Sequence, residues 1–202
     1  MRTTDKTSPP WKKNLRAIWF AELVAIIGFT VVIPILPLYV RELGVTGDSE
    51  TRLWSGVIFS AQAITMAIFG PIWGALSDRH GRKVMVERAM LAGAVIIALM
   101  GLVRTPGQLT ALRALQGALT GTVTAATALV ATSVPDEKAG YALGTLQMAI
   151  YVGASAGPLL GGVVADVLGY RSAFFITGGL LLVAALFVLV FVEEPARTGQ
   201  QT

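Results

Sequence analysis

The chain has 202 residues, 54% of them hydrophobic and 14% charged, with a net charge of +4. That composition is too apolar for an ordinary soluble domain and reads as an all-α polytopic membrane protein. The basic residues sit in short loops beside apolar runs, where they orient helices rather than bind nucleic acid. With no cysteine and one histidine, disulfides, thiolate chemistry and histidine metal clusters are excluded.

Residues 1–15 form a basic, polar lead containing Lys6, Pro9, Pro10, Lys12 and Lys13. A full-length span without a small-residue cleavage site follows, so no removable signal peptide is expected. Six apolar segments can be drawn, at about 16–40, 53–76, 84–103, 108–133, 139–165 and 172–192, each near the roughly 20 residues that a bilayer crossing needs. They are too long, and too free of alternation, for strands. The expected organisation is therefore a cytoplasmic lead, a transmembrane bundle over 16–192 and a cytoplasmic polar tail over 193–202, the start of a central linker.

Orientation follows from the distribution of Lys and Arg. With the N-terminus inside, Arg2, Lys6, Lys12, Lys13, Arg16, Arg79, Arg82, Lys83, Arg88, Lys138 and Arg197 lie inside, against Arg41, Arg52, Arg104 and Arg171 outside. This excess predicts both termini in the cytoplasm. Trp11, Trp19 and Trp54 fit interfacial anchors, whereas Trp73 fits packing as well.

The first segment carries Glu22, an ionisable residue well inside an apolar run, about six residues or roughly 9 Å beyond Arg16. An embedded charge is costly and marks a functional candidate, here a group that loads and releases a proton. The alternative is a carboxylate that snorkels inward to pair with an arginine. The segment ends in VVIPILPLYV, where Pro34 and Pro37 mark either an external gate or a simple helix terminus.

The second and third segments meet in GPIWGALSDRHGRKVMVERA, Gly70 to Ala89. Gly74 permits close approach to a neighbouring helix, and Gly81 permits a positive φ in the turn. Asp78 can cap a helix or pair with Arg79, Arg82 or another helix end. The loop, with Lys83, is either a latch that breaks and re-forms as helices rock, or a hairpin whose charges only fix topology. His80 is read as a solvated loop residue.

The fourth segment carries Arg113, Gln116 with Gly117, Thr120, Thr124 and Thr127, at steps that put them on one helical face. Arg113 stays charged and can hold a counter-charge, but cannot carry the proton; an ion pair with Glu22 is not assumed. The fifth carries Gln147, Tyr151 and Ser155, then Gly153, Gly157, Pro158, Gly161 and Gly162, which predict a small-residue packing face bent by the proline.

G-A-L-S-D-R-H-G-R-K resembles the loop signature between helices two and three of the major facilitator superfamily. L-R-A-L-Q-G around Arg113 is similar to that family's helix-four signature, and G-A-S-A-G-P-L-L-G-G, Gly153 to Gly162, to the helix-five signature of its drug:proton antiporter branch. W-K-K-N-L, I-P-I-L-P-L-Y-V-R-E-L-G-V-T-G and G-Y-A-L-G-T-L-Q are similar to stretches of multidrug members, so the resemblance covers nearly the whole chain.

The resemblance implies six helices as a 3+3 inverted repeat, the N-terminal half of a major facilitator fold. It implies alternating-access efflux of amphipathic compounds or antibiotics in exchange for protons across a bacterial inner membrane, with no cofactor beyond the proton gradient. Multidrug members of the branch carry an embedded acid near the position of Glu22. Asp78 would meet a helix of a second six-helix half, which this chain does not supply. The length fits a shortened gene product, a piece of a longer protein, or a half-size transporter paired with another chain.

Two alternatives stay open: a solute:proton symporter half, and a non-transporting assembly fragment. A membrane enzyme is not expected, because paired carboxylates and a nucleophile with its base are lacking.

Overall fold

The computed structural model describes residues 10–192, apart from the side chains of Pro10 and Asp78, and is all-helical over that range. Helix α1 runs Pro10–Glu42, α2 Asp48–His80, α3 Arg82–Met100, α4 Pro106–Leu119, α5 Thr122–Ser133, α6 Asp136–Leu168 and α7 Tyr170–Phe191. Five spans are long and apolar enough to cross a membrane, with α4 and α5 together counting as one. The sixth is α3, whose 19 residues reach about 28 Å and carry Lys83, Glu87 and Arg88 in their first two turns.

Local signals set the boundaries. Thr105 caps α4, its hydroxyl accepting from the Gln108 amide at 3.2 Å, with Pro106 at the first helical position. Gly81, at φ 104° and ψ 144°, is the whole connection between α2 and α3. Only glycine adopts that conformation without strain, so the basic turn is one residue long. His80, expected in a loop, instead ends α2 with its ring nitrogen 3.3 Å from the Leu76 carbonyl oxygen.

Two expectations about helix continuity change. Neither Pro34 nor Pro37 ends α1, which continues to Glu42, so the simple-terminus reading does not hold. The fourth segment, expected to be continuous over 108–133, breaks at Thr120–Gly121, where Gly121 takes φ 144°. The polar stripe is therefore not one face. Arg113, Gln116, Gly117 and Thr120 are buried along α4 and its cap, whereas Thr124 and Thr127 are exposed on α5.

The packing has an internal two-fold. Counting α4–α5 as the fourth span, the closest pairs are α1 with α6, α2 with α4, and α3 with α7. Exchanging the first three spans for the last three turns the α1–α6 pair into the α2–α4 pair and returns α3–α7 to itself, as an inverted 3+3 repeat requires. Helix α1 holds the centre: Ile18, Ala21, Ala25, Val32, Ile35, Leu36, Tyr39 and Val40 are buried. Near one end, Tyr39 donates to the Met100 carbonyl at 2.9 Å and stacks on Phe174 at 4.8 Å. Helices α2 and α6 leave long apolar faces uncovered, including Ile64, Ile68 and Ile72 on one and Val152, Leu159 and Val163 on the other.

Candidate functional site

Glu22 stands in the middle of α1 with no exposed surface. Neither of its carboxyl oxygens has a hydrogen-bond partner among the described residues. The polar side chain near enough to bear on it is Thr122, the first residue of α5. Among the described residues no arginine pairs with it, and its full burial leaves the snorkelling alternative without support. The break at Gly121 starts a new helix at the point where α5 meets α1, and Thr122 is buried there.

Arg113 is also buried, on α4. Its Nη1 donates to Gln62 Oε1 on α2 at 2.8 Å and to Gln116 Oε1 at 3.3 Å, and its guanidinium carbon lies 5.9 Å from the Phe59 ring centre. Among the described residues, Nε and Nη2 have no acceptor. Two amide oxygens, not a carboxylate, face this cation. Glu22 and Arg113 thus occupy separate places, one between α1 and α5 and the other between α2 and α4.

Gly117 makes the second of these places possible. A Cβ there would stand 2.1 Å from the Gln62 carbonyl oxygen and 2.2 Å from Thr65 Oγ1, so only hydrogen fits. The small-residue face of α6 acts likewise on α1. A Cβ on Gly157 would meet Thr30 Oγ1 at 1.9 Å, one on Gly161 the Val31 carbonyl oxygen at 2.3 Å, and one on Gly153 the Ile26 side chain at 2.9 Å. The Thr30 hydroxyl donates along its own helix to the Ile26 carbonyl at 2.7 Å and lies 3.2 Å from the Gly153 carbonyl oxygen across the seam. Gly162, expected to share this face, meets nothing within 4 Å, because one residue's turn of about 100° points it away from α1. Pro158 lies within α6 without ending it. Gln147 and Tyr151 are exposed on the outer side of α6, apart from both Glu22 and Arg113.

At the α2–α3 turn, Arg82 donates to the Ala128 carbonyl of α5 at 2.8 Å. Lys83 donates to the Leu189 carbonyl of α7 at 2.9 Å and pairs with Glu87 at 3.5 Å. Arg79 is exposed. The predicted contacts of Asp78 lie outside the described side chains. Gly74, expected to admit a close neighbour, meets nothing within 4 Å and instead lines a cavity of about 510 Å³ between α2, α3 and α5. The cavity exists because α2 packs on α4 above the Gly121 break and parts from α5 below it.

Three residues in these places escaped the sequence reading. Gln62 had a signal, being a polar residue inside the apolar run SAQAITMAIF. Thr122 looked like one threonine among several, and Arg88 like a topology charge.

The sequence profile of the Major Facilitator Superfamily matches residues 18–202. The chain belongs to the major facilitator superfamily. Among its relatives in this family of transporters, the multidrug resistance protein MdtG of Proteus mirabilis is 46% identical over 184 residues, which is 91% of this chain and 46% of the relative. MdtG of Citrobacter koseri is 48% identical over 91% of this chain and 45% of its own length. The chain spans about half the length of the curated relatives it matches.

Solved major facilitator structures agree in fold. A bacterial homolog of the human lysosomal transporter Spinster, inward-facing and unoccupied, superposes with a TM-score of 0.81 at 18% identity, over 96% of this chain and 45% of that one. The human organic anion transporter MFSD10 gives 0.80 at 23% identity, over 93% and 49%. The described bundle is the six-helix N-terminal half of a major facilitator fold, embedded in a membrane.

Proposed function

We propose that this chain forms the N-terminal half of a proton-coupled exporter of amphipathic compounds, working by alternating access in a bacterial inner membrane with both termini cytoplasmic. Glu22 carries the reading. It is a buried carboxyl that meets no hydrogen-bond geometry with any described residue, with Thr122 nearby, in the helix at the centre of the bundle, and such a group is costly unless its protonation is used. The names of the relatives support a drug substrate, and the glycines of the antiporter-like motif support a tight α1–α6 unit that moves as one body.

In this scheme the exposed faces of α2 and α6 take a second six-helix half, from the same polypeptide or another chain. Substrate passes between the halves. Protonation of Glu22 on one side of the membrane and release on the other couple the gradient to rocking of the halves, so no cofactor is needed. Arg113, with Gln116 and Gln62, supplies a fixed positive charge and amide groups. Asp78, Arg79, Arg82 and Lys83 hold one facing of the substrate passage between the halves.

The test is drug-driven proton movement in everted membrane vesicles carrying the protein as its source makes it, alone or with its partner half. Glu22→Gln should insert normally and abolish proton-coupled export of a cationic dye. Unchanged export in that variant would remove Glu22 from the mechanism.

A further inference from the structure

The break in the fourth span leaves its two sides unequally served. On the α4 side the freed carbonyls have donors: the Gln116 carbonyl oxygen accepts from the Thr120 amide at 2.8 Å and from the Thr120 hydroxyl at 2.7 Å, and the Ala118 carbonyl accepts from the Trp73 indole. The α5 side is not served in this way. Gly121 has no side chain to cap the helix, and the first bond of the ladder runs from the Ala125 amide to the Gly121 carbonyl at 3.1 Å. The amides of Thr122, Val123 and Thr124 therefore precede the ladder and find no carbonyl within α5.

Inside a bilayer such an end carries partial positive charge with no water to face. At this point of the bundle it meets a carboxyl in the opposite condition. Glu22 is fully buried, and neither oxygen has a donor among the described residues; Thr122, buried as well, is the side chain that bears on it. One group lacks acceptors and the other lacks donors. Both are buried within this chain, so neither depends on the faces left for a second half.

No formal charge competes for the carboxyl. Helix α5 has no ionisable residue, and among the described residues the charged ones of α2, α3, α6 and α7 stand within two turns of a helix end. Tyr151, further inside α6, is exposed. Arg113 of α4 is held by Gln62 and Gln116, and Arg16, on α1 itself, is exposed. A hydroxyl and the end of a helix are what remain to stabilise an ionised Glu22.

We propose that Thr122 is the positioning residue of the proton site: its hydroxyl and the open amide end of α5 hold the Glu22 carboxylate once the proton has left, and the Gly121 break presents them to α1. Resting on Glu22 as the proton carrier, this role explains how the ionised form persists in the membrane. A neutral carboxyl needs little there, whereas a bare carboxylate costs far more unless it is hydrogen-bonded. Donors aimed at the charged form set how readily Glu22 gives its proton up.

Infrared difference spectroscopy of the protein as its source makes it, titrated in detergent, reads the Glu22 carboxyl directly as the band missing from Glu22→Gln. Removing a donor from the ionised form favours the protonated one. Thr122→Val, which keeps the shape and loses the hydroxyl, should therefore move the midpoint of that band to higher pH by about one unit, a ten-fold change in proton affinity. Thr122→Ala, without the branch, should move it equally. Thr122→Ser keeps the hydroxyl and should stay near the parent, and Thr124→Val, at an exposed position of the same turn, should leave the midpoint in place. An unchanged midpoint in Thr122→Val and Thr122→Ala, or an equal shift in Thr124→Val, would overturn the role of Thr122 and leave Glu22 as the proton carrier. A Glu22 band that never titrates would overturn the reading of Glu22 itself, and the role of Thr122 with it.

Discussion

Gly157 of α6 lies so close to Thr30 of α1 that a methyl group on its α-carbon would stand 1.9 Å from the threonine hydroxyl oxygen and 2.8 Å from the Ile27 carbonyl oxygen. Lipid tails are as apolar as the helix surfaces, so association in a membrane rests on such close approach and on hydrogen bonds across the seam. Gly157→Ala should therefore destabilise the bundle by about 1–3 kcal/mol, the usual cost of overpacking. Gly162→Ala, five residues on, meets open space and should be neutral. Thermal unfolding of both variants in detergent checks the pair; equal loss in the two would mean that helix propensity, not the seam, is being measured.

Arg113 and Gln62 should be energetically coupled. The guanidinium donates to Gln62 at 2.8 Å across the α2–α4 interface, and residues in direct contact show coupling of about 0.5–3 kcal/mol. A double-mutant cycle of Arg113→Lys and Gln62→Ala, read by unfolding, should give a non-zero coupling energy. Additive effects would reduce Gln62 to a bystander.

Glu22→Leu should stabilise the bundle while ending proton-coupled export. A buried polar group without a partner carries a desolvation cost of about 1–3 kcal/mol, and Leu is apolar and of similar bulk. A raised unfolding temperature together with lost export is the expected combination. A lowered unfolding temperature would show that the carboxyl has a structural partner after all.

Tyr39→Phe should cost about 0.5–1.5 kcal/mol, since the hydroxyl donates to the buried Met100 carbonyl. Arg171→Ala, by contrast, removes an exposed 3.1 Å pair with Glu42, a class of contact worth roughly 0–1 kcal/mol. Chemical or thermal unfolding should rank Tyr39→Phe as the more damaging change; the reverse order would mean that the contact of Arg171 with the Val103 carbonyl matters more than the tyrosine.

Gly121→Ala probes the break in the fourth span. At φ 144° an alanine is strained by about 1–3 kcal/mol, and relief would come from straightening α4 into α5. The expected outcome is lower stability and movement of Trp73, whose indole bonds to Ala118 beside the break, visible as a shift in tryptophan fluorescence. An unchanged spectrum with unchanged stability would mean that the break tolerates a side chain.

Much of this molecule was determined along the chain. Apolar runs of bilayer length force helices, since a membrane leaves backbone groups no other partners. Gly81 in a basic turn required a positive φ, and glycines at steps of four on α6 required a close neighbour. Other features depended on how helices rotate about their own axes against one another, which no single helix encodes. Sequence put Gly162 and Gly74 among the packing glycines, but tertiary structure turned both toward open space. Sequence drew one polar stripe through Arg113 and Thr127, and the Gly121 break divided it, leaving Thr122 beside Glu22. The partner of Arg113 came from Gln62, fifty-one residues earlier, and Arg88 met Trp73 in direct contact, 3.4 Å from the ring centre, beside a cavity that exists only because α2 and α5 part. Period and composition act within a helix, whereas these pairings are set by which faces two helices bury against each other, and that is decided only when the whole bundle closes.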